Sequence, residues 1–74
     1  DPAVKYLGQG FSKDAVGEAL KVYKDDEKKV TEFCINYSKM IEMGFASQSI
    51  TSSLAMYDND VRRALAHLIQ GNGT

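Results

Sequence analysis

The residues able to do covalent or metal chemistry are few. Cys34 is the only cysteine and His67 the only histidine, and a thiol nucleophile needs a base within hydrogen-bond reach. Here 33 positions separate the two, and they fall on different predicted helices, so Cys34 reads as a packing residue and His67 as a surface or rim residue. One cysteine and one histidine do not make a zinc site. The acidic run Asp25-Asp26-Glu27 has no further carboxylates at calcium-loop spacing and reads as a helix start. No cofactor, no metal and no enzymatic activity are expected.

What remains is recognition chemistry. Met43-Gly44-Phe45 places a glycine able to adopt a positive φ between a soft, adaptable methionine and an aromatic ring. Leu68-Ile69 closes the last predicted helix, with Leu68 on its buried stripe and Ile69 beyond it. Met43, Phe45, Leu68 and Ile69 are thus apolar side chains available either for contact with a partner or for packing. The alternative role for Phe45, Leu68 and Met43 is the core of a three-helix unit. A weaker version occurs earlier, as Gln9, Gly10, Phe11 and Ile35.

Bulk properties set the scale. The chain has 74 residues, 43% of them hydrophobic and 26% charged. A domain this small buries about 60% of its unfolded surface and has no room for a deep catalytic cleft. No apolar stretch approaches the roughly 18 residues needed for a bilayer span. The nine Lys and Arg nearly balance ten Asp and Glu and are interleaved with them, so no basic stripe for nucleic acid is present. No secretory signal opens the chain, and a lone cysteine fits a reducing compartment. It reads as a piece of a longer intracellular protein.

Stop and start signals predict the elements that position these residues. Pro2 opens a first helix over Ala3–Gln9, with Val4, Tyr6 and Leu7 available for burial and Gly10 as its left-handed stop. Ser12 caps a second helix with Ala15, Val16, Ala19, Leu20 and Tyr23 inward. Gly17 weakens that helix by about 1 kcal/mol unless another backbone approaches. Asp26 starts a third helix that meets no Gly or Pro before Gly44, about 18 residues or some 27 Å, with Val30, Phe33, Cys34, Tyr37, Met40 and Ile41 at helical spacing. Ser47 caps a fourth helix carrying Ile50, Leu54 and Met56. Asn59 or Asp58 caps a fifth, with Val61, Ala64, Leu65 and Leu68 inward. Gly71 stops it before a flexible polar tail, 71–74. There is no strand signal, so the expectation is an all-α fold of five helices.

Sliding the chain back by 34 positions returns the same frame: Gly10-Phe11 falls on Gly44-Phe45, Leu20 on Leu54, Tyr23 on Tyr57, Asp26 on Asp60 and Ile35 on Ile69. That is an internal repeat. It implies two overlapping three-helix units, 3–36 and 37–70, in which the helix over about 26–43 closes the first and opens the second, a short solenoid.

The Met-Gly-Phe turn, the Asn59-Asp60 helix start and the Leu-Ile ending resemble the ubiquitin-associated (UBA) domain, strongly over 38–70 and moderately over 3–36. Sharing of a helix is similar to the overlapping UBA solenoid of an ESCRT-I subunit, which has three units where this chain has two. The resemblance implies a non-catalytic module that weakly binds the hydrophobic patch of ubiquitin or polyubiquitin through Met43, Gly44, Phe45, Leu68 and Ile69. A second site at Gln9, Gly10, Phe11 and Ile35 departs from the pattern, because Gln9 replaces methionine and the helix after Ile35 continues. It further implies sorting of ubiquitinated membrane cargo, other ESCRT-I subunits as partners through the rest of a parent protein, and a cytoplasmic, endosome-associated location, without nucleic acid or direct membrane insertion. The alternative function is a structural solenoid of UBA-like units holding a non-ubiquitin partner.

Overall fold

A computed structural model describes residues 1–71. It contains five helices in chain order: α1 (Ala3–Gly8), α2 (Lys13–Tyr23), α3 (Glu27–Glu42), α4 (Ser47–Met56) and α5 (Val61–Gly71). Among the described residues there is no strand, as the sequence predicts. The expected tail lies outside the described residues apart from Gly71, which is the last residue of α5 rather than its stop.

Local chemistry accounts for most boundaries. The Asp1 carboxylate accepts the Ala3 N–H at 3.0 Å beside Pro2. The Ser12 hydroxyl accepts the Ala15 N–H at 3.1 Å, and the Asp26 carboxylate accepts the Lys29 N–H at 3.2 Å. Each satisfies one of the N–H groups that a helix start leaves without an intrahelical partner. Two predicted caps differ. The first turn of α5 is capped by Asp60, whose carboxylate accepts the Arg63 N–H at 3.2 Å, because Asp58 and Asn59 are turned into the left-handed region at φ 49° and 70°. The N-cap of α4 is Ala46, which offers no side-chain acceptor; Ser47 is already helical, and its hydroxyl shares a 2.6 Å hydrogen bond with Tyr37.

The backbone repeats at the spacing of the sequence. Gly10 and Gly44 sit at φ 100° and 98°, Lys24 and Asp58 at φ 57° and 49°. Asp26 and Asp60 cap in the same way. Buried positions correspond as well: Val16 with Ile50, Ala19 with Ser53, Val30 with Ala64, Cys34 with Leu68. The aromatic edge contact between Tyr23 and Phe33, centroids 6.3 Å apart, returns as Tyr57 against His67 at 5.6 Å.

All five helices feed one continuous core. Over its 16 residues α3 buries Val30, Phe33, Cys34, Tyr37 and Met40, a stripe that runs its whole length, about 24 Å. It packs on both α2 and α4. Removing each of the larger side chains from water contributes about 1.5–3 kcal/mol. Phe33 stacks on Tyr37 at 5.9 Å, one turn further along the same stripe.

Four side chains expected inside are exposed: Val4, Leu7, Ile41 and Met56. The six-residue α1 lays only Tyr6 into the core. On α3, Met40 is fully covered in the core, and Ile41 one residue on turns about 100° away, toward the start of α2. Met56 ends the last turn of α4, past its buried stripe of Ile50, Ser53 and Leu54. Gly17 is exposed, and a Cβ there would meet no atom within 4 Å, so no close approach requires it.

Candidate functional site

The loop after α3 is fixed by two backbone hydrogen bonds, Gly44 N–H to Ile41 O at 2.9 Å and Phe45 N–H to Met40 O at 3.2 Å. With Gly44 left-handed, this is a Schellman closure, which turns the chain away from the helix axis while satisfying its last carbonyls. The turn divides its side chains. Phe45 is half-buried and packs on the core that contains Met40, while Met43 stands 58% exposed.

At the end of α5 the same division recurs. Leu68 is buried in the core and Ile69 is 64% exposed. The sequence-predicted residues therefore fall into two groups: Met43 and Ile69 expose apolar area to solvent, whereas Phe45 is half-buried and Leu68 is buried in the core. An exposed Met and Ile gain from covering by a partner, about 25 cal/mol per Å² of apolar area.

The earlier loop shares the left-handed glycine and its N–H bond but not the second closing bond, and it has a different surface. Gly10 N–H bonds Leu7 O at 3.0 Å and Gln9 N–H bonds Tyr6 O at 3.1 Å, with Phe11 half-buried against the core. Ile35 is 43% exposed. Gln9, however, lines an open cavity of about 480 Å³ with Glu27, Lys28, Thr31 and Glu32 of α3, a polar setting unlike that of Met43.

Sequence reasoning missed the clamp between the α4–α5 turn and the preceding helices. The Asp58 carboxylate accepts the Tyr23 hydroxyl at 2.7 Å and the Lys29 ammonium at 2.9 Å. Asn59 donates its amide to Lys29 O at 3.1 Å, and Asn36 donates to Asn59 O at 3.3 Å. Hydrogen bonding from Tyr23, then Lys29, holds the Asp58 carboxyl below the usual carboxylate range. Burial, then the bond to Asp58, pushes the Tyr23 phenol up. At the other end, Tyr6 donates to Asp25 at 2.6 Å beside a 3.1 Å contact from Lys5, and the Asp25 carboxyl is lowered by Tyr6 and then Lys5. The run of Asp58, Asn59 and Asp60 was the available signal, since such residues build turns, but its partners lie 29 and 35 positions away.

Cys34 is fully buried, and desolvation raises its thiol to about 11, so almost no thiolate exists near neutral pH. His67 is exposed, its ring nitrogen 3.3 Å from the Tyr57 hydroxyl. Among the described residues no group of three or more metal-ligating side chains converges. No helix among them is long and apolar enough to cross a membrane.

The family profile described as "Ubiquitin-associated protein 1, UBA2 domain" matches residues 32–70, more than half of the 74-residue chain. Neither the curated proteins nor the solved structures give a match.

Proposed function

We propose a function from the premise that the chain belongs to the family of the UBA2 domain of ubiquitin-associated protein 1, and UBA domains are small, non-catalytic ubiquitin-binding modules. The chain is a weak receptor for ubiquitin's hydrophobic patch, with Met43 and Ile69 as contacting side chains, Gly44 setting the turn, and Phe45 and Leu68 supporting them. The observation that carries this reading is the Schellman turn at Gly44, which exposes Met43 while packing one side of the Phe45 ring on the core. A surface of this size buries well under 1,200 Å² and corresponds to a dissociation constant on the order of 100 µM.

The chain is organised as two overlapping units, 3–36 and 37–70, sharing the helix over about 26–43, and the first unit's Gln9, Gly10, Phe11 and Ile35 form a second, weaker site. Two sites on one rigid helix gain from a polyubiquitin chain that spans them. The physiological role is sorting of ubiquitinated membrane cargo at endosomes, on the cytoplasmic side, with ESCRT-I subunits engaged through the rest of a longer protein.

The test is an NMR titration with monoubiquitin. The Met43, Phe45 and Ile69 amides move if the reading holds; amides that stay still at millimolar ubiquitin refute it. The second reading, a solenoid holding a non-ubiquitin partner, is favoured for the first unit by the polar surroundings of Gln9. Replacing Met43 and Phe45 with polar residues separates the two, provided circular dichroism shows the helices intact: lost ubiquitin binding supports the receptor.

A further inference from the structure

The continuation of α3 past Ile35 leaves the first loop flanked by a groove. Between the start of α2 and the last turns of α3 lies an open cavity of about 350 Å³, lined by Ser12, Asp14, Tyr37, Ser38, Ile41 and Glu42. Ile41 gives it an apolar contact, 43% exposed. Asp14 on α2 and Glu42 on α3 are exposed carboxylates on its two walls. Among the described residues neither carboxylate takes part in an ion pair or a side-chain hydrogen bond.

We propose that this groove is a docking site for a protein segment presenting one aliphatic side chain with a lysine or arginine beside it. The aliphatic group covers Ile41, and the cation reaches the carboxylates on the facing helices. Charge complementarity selects this occupant. A wholly apolar segment would take two carboxylates out of water without compensation, and an acidic one would add repulsion. The groove depends on the continuation of α3 past Ile35, and its α2 wall has no acidic counterpart in the second half. The positions 34 residues beyond Ser12 and Asp14 are Ala46 and Gln48, which carry no carboxylate. Its lining has no residue in common with the surface of Met43, Phe45 and Ile69, so it stands whether or not ubiquitin binds there.

The test is an NMR titration of the whole chain with two capped tripeptides, Arg-Leu-Lys and Glu-Leu-Glu, to about 5 mM, a range suited to contacts of only a few kcal/mol. The basic peptide is expected to shift the Ser12, Asp14, Ser38 and Ile41 amides, and the acidic one to leave them in place. The Asp14→Asn, Glu42→Gln double variant weakens the basic peptide about fivefold, the effect of two exposed ion pairs. Equal shifts from both peptides, or none from the basic one, overturn the proposal. So do the same shifts on concentrating the chain alone, which make the occupant a second copy, or shifts with monoubiquitin but not with the basic peptide.

Discussion

The Tyr23 hydroxyl donates to the Asp58 carboxylate at 2.7 Å across 35 positions of sequence. The pair ties the end of α2 to the turn between α4 and α5, and Lys29 of α3 completes it from the third side at 2.9 Å. Three elements are therefore held by one carboxylate. Removing the hydroxyl with Tyr23→Phe is expected to cost about 1 kcal/mol, the net worth of a partly exposed hydrogen bond. Asp58→Asn keeps a residue that tolerates the left-handed backbone and loses the charge. Urea unfolding of both single variants and the double variant should give a small favourable coupling between the two positions. Strict additivity would show that the contact contributes nothing.

The same carboxylates set an acid limit. Asp25 and Asp58 are both lowered from the ordinary value, each first by a tyrosine hydroxyl and then by a lysine. A group whose folded value is depressed contributes stability above its unfolded value, near 4, and loses it as the pH falls through the folded one. The melting temperature should be flat from neutral pH to about 4 and fall below that. The Asp25→Asn, Asp58→Asn double variant starts lower and falls less steeply. An unchanged slope in that variant would assign the acid limit to other groups.

These features divide along a physical line between what the sequence reveals and what it conceals. Gly10, Gly44, Ser12 and Asp26 were legible because each acts on backbone groups within about five residues. Ser47 and Asp58 were not, because the same side chains that cap helices were taken by Tyr37 and Tyr23, partners that only the packed structure supplies. Ile41 shows the limit for burial. Helical spacing places it near the stripe of Tyr37 and Met40, but whether a neighbour covers it depends on where α2 begins. Met43, Gly44 and Phe45 were legible as a turn with an exposed methionine, whereas the groove beside Ile41 joins residues up to 30 positions apart.

The two glycines of unlike backbone give opposite expectations for the same substitution. Gly17 lies inside α2 with open space around the position of a Cβ, so Gly17→Ala should stabilise by up to about 1 kcal/mol through lower unfolded-state entropy and better helix propensity. Gly44 also has open space, but at φ 98°. Gly44→Ala should destabilise by about 1–2 kcal/mol from backbone strain alone. Thermal melts of both variants decide it; stabilisation at Gly44 would mean that the turn relaxes freely.

Helix α3 gives the sharpest test of how far cooperativity extends. Its five buried residues belong to one core that also contains Tyr6 of α1 and Leu68 of α5. Asn36 lies in the middle of α3 and donates to Asn59 O. Asn36→Pro removes an intrahelical bond and clashes with the preceding turn, at a cost of about 3 kcal/mol or more. At about 0.05 kcal/mol per residue, the low end for natural domains, 74 residues are stable by about 4 kcal/mol, and the proline also deletes the side-chain bond to Asn59, so the loss should be felt everywhere. Asn36→Ala, which deletes only the side-chain bond, serves as the control and should cost about 1 kcal/mol. Helical ellipticity is then expected to collapse across the whole chain in the proline variant and to survive in the alanine variant. Retention of about half the helical signal, with the amides of α4 and α5 still dispersed, would instead mean that the second half folds alone and that α3 joins two independent structures.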